Sequence, residues 1–463
     1  MLFSTHKTLA MSGMAASVAA WDWSNGVNAR PSASSTNSCT FFKQNYPNMT
    51  TLPTDDRYAS ENEVSWNAGA WLGPACVLTP LNAEDMSYAV KNLVKFATPF
   101  SMRGGGHMPI PDAANINSTG VLISSTNLTT LELSDDQSFV SVGPGKRWGD
   151  VYIYLDETRT GKMVVGGRYA PVGIPGYLLG GGMSFFSYDP SIGLASPSYG
   201  YGSEVKDQYL TSILNYVING SSDPKAAIIP TARFGPGYTS PRYDAVLFYN
   251  GVNISTPAIL SDFQGGALPA DNTTSLTSIT MGQFSQAVLP AFQKGGESNG
   301  LQQNFHVIST KANRQAMDIV HDTFFDAVIA QNLSSLSSFF VGLTWNAITT
   351  KFIETSNNGT GCPQGMTEEP VFWVEQSLSW GDSADDAKID AFIQSVNANM
   401  TTQLVAANLT SSYIYLNDAD KGQPVFAGYP AENVQRLKDI RDKYDPLMIY
   451  TNLMPGGFKV AQA

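Results

Sequence analysis

Two glycine clusters and one histidine have residue types and spacing suited to chemistry. Gly104, Gly105 and Gly106 follow Arg103 and precede His107. Three successive residues without a Cβ allow positive φ and let backbone N–H groups converge on an anion. The second cluster runs Gly166-Gly167-Arg168, Gly173, Gly176 and Gly180-Gly181-Gly182. Its close spacing among apolar residues reads as buried backbone pressed against a large flat ligand or its pyrophosphate. Glycines mark tight turns about as often. Neither cluster has the GxGxxG or GxxxxGK[ST] spacing, which excludes the Rossmann and P-loop readings. His107 is one of four histidines, and it stands beside whatever the triplet cradles. The plainer alternative is a loop histidine satisfied by its neighbours. Cys39, Cys76 and Cys362 lack metal-ligand spacing, so no metal site is expected.

The elements that must hold these residues alternate in the first third of the chain. Asn82 caps a helix with Met86, Ala89, Val90, Leu93 and Val94 on one face. The glycine triplet forms a loop, followed by strands at Val121–Ser124 and around Phe139, Val140 and Val142. A helix with Trp148, Val151, Tyr152 and Leu155 comes next, then a strand at Met163–Val165. Residues 203–410 form a second, Ser/Thr-rich lobe. It holds a strand at Ala245–Tyr249 and a helix bearing Met317, Val320, Phe324 and Val328. The tail offers a strand at Tyr413–Leu416 and a helix from Pro430 to Lys443, with Val434, Leu437 and Ile440 facing its core. The fold class is α+β in two lobes.

Composition narrows the function classes. The chain has 463 residues, 43% hydrophobic and 14% charged, with a net charge of −12. Such a length calls for more than one core, and so few charges exclude a disordered chain or a coiled coil. An acidic balance without basic runs argues against nucleic acid or anionic membrane as partner. No apolar stretch is long enough to span a bilayer. Residues 1–29 resemble a signal peptide, with Lys7 before a mildly apolar run. Ten N-x-[ST] sequons accord with secretion. In a secreted protein Cys39 and Cys76 would form one disulfide, leaving Cys362 free; in a reducing compartment all three would be thiols.

Longer stretches join these features. They are Pro74-Ala75-Cys76-Val77-Leu78-Thr79-Pro80, Arg103-Gly104-Gly105-Gly106-His107, Val142-Gly143-Pro144-Gly145 with Trp148, and Gly166-Gly167-Arg168 leading to Gly180-Gly181-Gly182-Met183-Ser184-Phe185. The tail adds Tyr413-Ile414-Tyr415-Leu416-Asn417, Tyr444-Asp445-Pro446 and Pro455-Gly456-Gly457-Phe458-Lys459. On these residues the chain resembles the vanillyl-alcohol-oxidase superfamily, in its berberine-bridge-enzyme-like fungal branch with a PCMH-type FAD-binding domain. The resemblance implies FAD, bonded covalently through His107. It places Arg103, Gly104, Gly105, Gly106, Gly167, Gly173, Gly181 and Gly182 around the cofactor. Tyr169 stands where bicovalent members carry Cys, so a second link is not expected. The implied layout is an FAD domain over 30–202, a substrate lobe over 203–410 and a tail over 411–463 returning to the FAD domain.

The same resemblance implies an FAD-linked oxidoreductase. Hydride would pass from an alcohol, amine or C–H carbon of a small organic substrate, with O2 as acceptor, in fungal natural-product tailoring. Asp418 and Tyr415 are the candidate bases, although on a strand they point to opposite faces. Core aromatics are the plainer reading of Tyr413 and Tyr415. A secreted carbohydrate oxidase is the alternative in substrate. A poorly flavin-binding, non-catalytic remnant is the alternative in class, because the chain departs from the family after Ala195. There the family continues through roughly sixty residues of FAD domain, whereas this chain runs through Ser196-Pro197-Ser198 almost directly into substrate-lobe sequence. Pro175 is a second departure, standing where members commonly have Gly and removing an N–H.

Overall fold

The computed structural model describes residues 32–185, 194–195, 198–251, 257–265, 268–271, 277–358, 362–366 and 369–463. The leader-like stretch over 1–29 lies outside them.

The first lobe begins with α1 (Ala33–Asn45), β1 (Thr50–Thr51), α2 (Tyr58–Asn62), β2 (Cys76–Leu78), α3 (Ala83–Lys95), β3 (Phe100–Arg103) and β4 (Val121–Ser124). The strands form one sheet in the order β1-β2-β4-β3, with β2–β4 and β3–β4 parallel. Parallel neighbours need a crossover, and α3 supplies it between β2 and β3. The expected cap is present, for Asn82 Oδ1 accepts Asp85 N–H at 2.9 Å. Cys39 on α1 and Cys76 on β2 form a disulfide. A two-stranded ribbon of β5 (Leu131–Leu133) and β6 (Val140–Val142) precedes α4 (Trp148–Thr158) and α5 (Ile174–Gly180). Met163–Val165 is not a strand; among the described residues it joins no ladder. Pro175 lies in the first turn of α5, where the missing N–H has no intrahelical partner to lose.

The second lobe contains β7 (Leu194–Ala195), β8 (Tyr199–Tyr201), α6 (Lys206–Asn219), β9 (Ala226–Phe234), β10 (Arg242–Tyr249), β11 (Thr277–Ser278), α7 (Met281–Val288), β12 (Gln302–Lys311), α8 (Arg314–Ala330), β13 (Phe340–Ile348), α9 (Thr350–Asn357), β14 (Val371–Trp380) and α10 (Asp386–Ala406). Its sheet has the order β11-β7-β10-β9-β13-β14-β12, and β8 also pairs with β10. Both β7 and β8 therefore join the second-lobe sheet, with only 196–198 between them. The period-two alternation of strands divides this sheet. One face, with Ala232, Phe234, Leu343, Trp345, Phe372, Val374 and Leu378, buries against α6, α8 and α10. The other turns Thr231, Arg233, Thr344, Trp373, Glu375, Ser377 and Phe305 toward the first lobe. Packing of α4 on α7 and β10, through Tyr152, Leu155, Phe248 and Phe284, joins the lobes.

The tail holds α11 (Ala431–Tyr444) and α12 (Ile449–Asn452) and returns to β3, where Phe100 N–H donates to Leu453 O at 2.7 Å. Tyr413–Leu416 is not a strand. The chain is extended there and closes into a tight turn over Leu416–Asp418. Ile440 does not face the core either; it is exposed, whereas Val434 and Leu437 pack inward.

Candidate active site

The two glycine clusters meet. A Cβ on Gly105 would lie 2.4 Å from Gly173 Cα, so only two glycines permit this backbone crossing. Gly106 adopts φ +67°, in the left-handed region that favours glycine. Arg147 ties the crossing down by donating to Gly105 O at 2.8 Å, and Trp148 N–H donates to Val172 O at 3.0 Å. The Gly180–Gly182 run is packed against side chains instead, and a Cβ on Gly180 would meet Asn417 Oδ1 at 2.1 Å. Asn417 Nδ2 in turn donates to Gly181 O at 2.7 Å. The tail turn is thereby fastened to the second glycine loop.

Between these loops and the second-lobe sheet lies a cavity of about 1690 Å³. A drug-sized ligand fills roughly 300–1,000 Å³, so this space suits a large cofactor together with a substrate. Gly104, Gly105, Gly106, Gly167, Gly173, Gly181 and Gly182 all line it, as do His107, Tyr415 and Asp418. The lining fits FAD, because the glycine loops present backbone without side chains to the cavity, as an anionic diphosphate requires.

His107 is boxed by aromatics. Its ring stacks on Trp66 at 5.0 Å and meets Phe292 edge-on at 5.7 Å, and Trp66 Nε1 donates to His107 O at 2.8 Å. Burial, helped by the charge of Arg147, pushes the imidazole pKa down to about 3. A neutral ring keeps a nitrogen lone pair available. Arg103 behaves differently, because its guanidinium is fully buried and turned into the first lobe. It donates to Glu61 O at 2.5 Å, Asn115 Oδ1 at 3.1 Å and Ser124 Oγ at 3.1 Å. Its chemistry is spent on holding the loop.

The tail turn removes the obstacle that a strand posed, because Tyr415, Asn417 and Asp418 all reach the cavity wall. Tyr415 stacks on Trp373 at 5.3 Å, and its hydroxyl donates to Gly181 O at 3.3 Å while accepting from Asn417 Nδ2. Burial pushes its pKa well up, with Asp418 adding to the rise. Asp418 is likewise raised, first by burial and then by the charge of Glu375, with Arg168 opposing. Glu375 was not visible as a site residue in the sequence. It sits at mid-strand on β14, opposite Thr344 on one side and Val307 on the other, and faces the cavity. Burial lifts its pKa to about 6 against Arg168 and Arg233. The one available signal was its place in the alternating run Trp373, Glu375, Ser377, Ser379.

Comparison with known proteins bears on this geometry. Residues 74–190 match the family of FAD binding domains. The chain is an FAD-dependent oxidoreductase with the berberine-bridge-like fold. It is 27% identical to FAD-dependent monooxygenase prx3 of Penicillium roqueforti, covering 94% of this chain and 96% of that one. It is 26% identical to FAD-dependent monooxygenase sdcF of Emericella nidulans, over 92% and 98% of the two chains. Among solved structures, Physcomitrella patens BBE-like 1 superposes with a TM-score of 0.69 at 14% identity, over 90% of this chain and 98% of that one. The 6-hydroxy-D-nicotine oxidase of Arthrobacter nicotinovorans gives 0.67 at 16%, over 89% and 98%. The cofactor of the present chain is FAD.

Proposed function

We propose that this oxidoreductase oxidises an alcohol, amine or activated C–H carbon of a small aromatic metabolite, with dioxygen as final acceptor, in fungal natural-product tailoring. The observation that carries the reading is the meeting of two carboxyl groups, Glu375 and Asp418, on the wall of the cavity that the glycine loops and His107 complete. Bound FAD supplies the two-electron acceptor, and His107 is its covalent attachment point. The chain supplies the proton chemistry. Glu375, whose carboxyl burial lifts to about 6 and which therefore ionises near neutral pH, takes the substrate proton, while Asp418, also raised by burial and by the charge of Glu375, is the neighbouring group that hydrogen-bonds in its protonated form. Tyr415 and Asn417 keep the turn bearing Asp418 against the glycine loop. Trp66, Phe292, Phe305 and Phe340 give the cavity an aromatic wall, which favours a flat aromatic substrate over a sugar. The fungal relatives' names, both FAD-dependent monooxygenases, support the tailoring role.

One observation favours the remnant reading. Among the described residues the sheet of the first lobe has four strands, and the chain passes from β7 to β8 with only 196–198 between them, so the block that the family resemblance implies after Ala195 has no counterpart there. Yellow colour surviving acid precipitation decides for the enzyme, and colourless protein for the remnant. The disulfide supports passage through the secretory pathway, where oxidation is maintained.

Anaerobic flavin bleaching by a panel of aromatic alcohols and sugars tests the mechanism. Glu375→Gln should slow bleaching by roughly 10²–10⁴-fold, the usual contribution of a positioned base. In the parent, the rate should rise with pH through about 6 as Glu375 ionises, and this limb should vanish in Glu375→Gln. An unchanged rate and limb would refute the assignment. Bleaching by sugars alone would move the substrate class to carbohydrate.

A further inference from the structure

Besides His107, the cationic side chains lining the cavity are Arg103, Arg168, Arg233 and Lys459. The three arginines are engaged. Arg103 is bonded within the first lobe, Arg168 donates to Asn346 Oδ1 at 2.8 Å, and Arg233 pairs with Asp244. Lys459 differs. Among the described residues its ammonium has no hydrogen bond and no ion-pair partner. Asp112, the carboxylate that acts on it, is itself bonded to Lys421 at 3.3 Å. Burial pushes the Lys459 pKa down to about 8, so the side chain is still mostly charged at neutral pH.

The backbone keeps this cation in place. The tail lies along β3, which runs into the glycine triplet, through the bond from Phe100 N–H to Leu453 O. Gly456 then approaches the His107–Asp112 segment so closely that a Cβ would lie 1.6 Å from Asp112 O. Gly457 turns the chain at φ +73°, and Lys438 Nζ holds the last residue by donating to Ala463 O at 2.6 Å. Lysine has a long stem that normally carries its head to water. Here the pinned tail holds it in the cavity wall. A partly buried cation whose one neighbouring carboxylate is shared with Lys421 carries a desolvation cost that an incoming anion offsets.

We propose that Lys459 is a cofactor-binding residue, its ammonium meeting the negative charge of the FAD diphosphate. That group is anionic in every redox state of the cofactor, and it needs a cation beside the neutral N–H donors of the glycine loops. The inference rests on the assignment of this cavity to FAD. It does not depend on which substrate is oxidised.

The test uses the full chain carrying His107→Ala, so that FAD can exchange, with FAD and ADP as probes and dissociation constants read by flavin fluorescence and calorimetry. Lys459→Met should weaken both FAD and ADP by about tenfold or more, and the loss should shrink as salt is raised. Lys459→Arg should restore affinity to within about threefold, and the ligand-free Lys459→Met protein should melt no lower than its parent. Unchanged affinities would overturn the proposal. So would a loss for FAD without a loss for ADP, which would put the cation at the isoalloxazine, or a lowered melting temperature that Lys459→Arg does not repair. A parent that binds neither probe would overturn the FAD assignment along with it, a result distinct from a Lys459 failure.

Discussion

Arg103→Met isolates the role of the residue that opens the glycine loop. The guanidinium is fully buried and makes three hydrogen bonds, and the Glu61 carboxylate 3.9 Å away is only 7% exposed. Removing one partner of a buried ion pair costs about 3–5 kcal/mol, because the other charge is left uncompensated. Glu61 retains Arg57 at 3.4 Å and the Thr126 hydroxyl at 3.1 Å, which sets the expectation at the lower end. For a unit of 150–250 residues, each kcal/mol moves the midpoint by about 2–4 °C. A drop of roughly 10 °C in the melting of the first lobe follows, measured by calorimetry on flavin-free protein. Adding Glu61→Gln should recover much of it, since the stranded charge is then gone. FAD affinity should fall as well, because a Cβ on Gly106 would sit 3.3 Å from Arg103 Cδ and the loop therefore leans on this stem. A single variant that melts within about 2 °C of its parent would refute the buried-charge argument, as would a double variant no better than the single one.

Three further outcomes are expected. His107→Ala should fold normally and lose acid-stable yellow colour while retaining dissociable FAD; acid-stable flavin in that variant would exclude His107 as the attachment point. Denatured, unreduced protein should titrate one thiol, Cys362, and Cys39→Ser should lower stability by about 2–4 kcal/mol in denaturant titrations. A version carrying, after Ala195, the segment that the family resemblance implies should melt higher and, in the His107→Ala background, bind FAD more tightly, each Å² of covered apolar surface contributing about 25 cal/mol. Equal melting and affinity would mean that the short chain is a complete domain.

Local signals read well where packing and local chemistry agree. The α3 face and its Asn82 cap, the β10 run and the α8 apolar stripe all stand where periodicity puts them. Met163–Val165 has strand composition, but among the described residues no strand lies beside it, and composition cannot supply a partner. Ile440 continues the apolar spacing of α11, yet the helix turns that position to solvent and packs only through Val434 and Leu437. The glycine clusters were legible for a stronger reason. A backbone crossing as close as Gly105 on Gly173 admits no other residue, so the constraint is written into the sequence itself.

The proton-transfer side of the site was legible only in part, and the reason is geometric. Asp418 follows Asn417 and Tyr415 precedes it by two residues, and strand alternation would have forced the two candidates to opposite faces. Asn417 breaks that alternation, because its amide is held by Gly181 O and Tyr177 O and the chain must turn over Leu416–Asp418 to deliver it. A contact 236 residues away in sequence thus decides where Asp418 points. Glu375 depends on a still longer chain of placements. Its alternation along β14 selects the cavity face, but that face is a cavity only because α4 and α7 dock the lobes across it. In a half-buried strand a charged residue at such a position ordinarily marks the solvent side. Here that side faces the cavity between the lobes, so a residue pattern that reads as surface becomes the wall on which Glu375 and Asp418 meet.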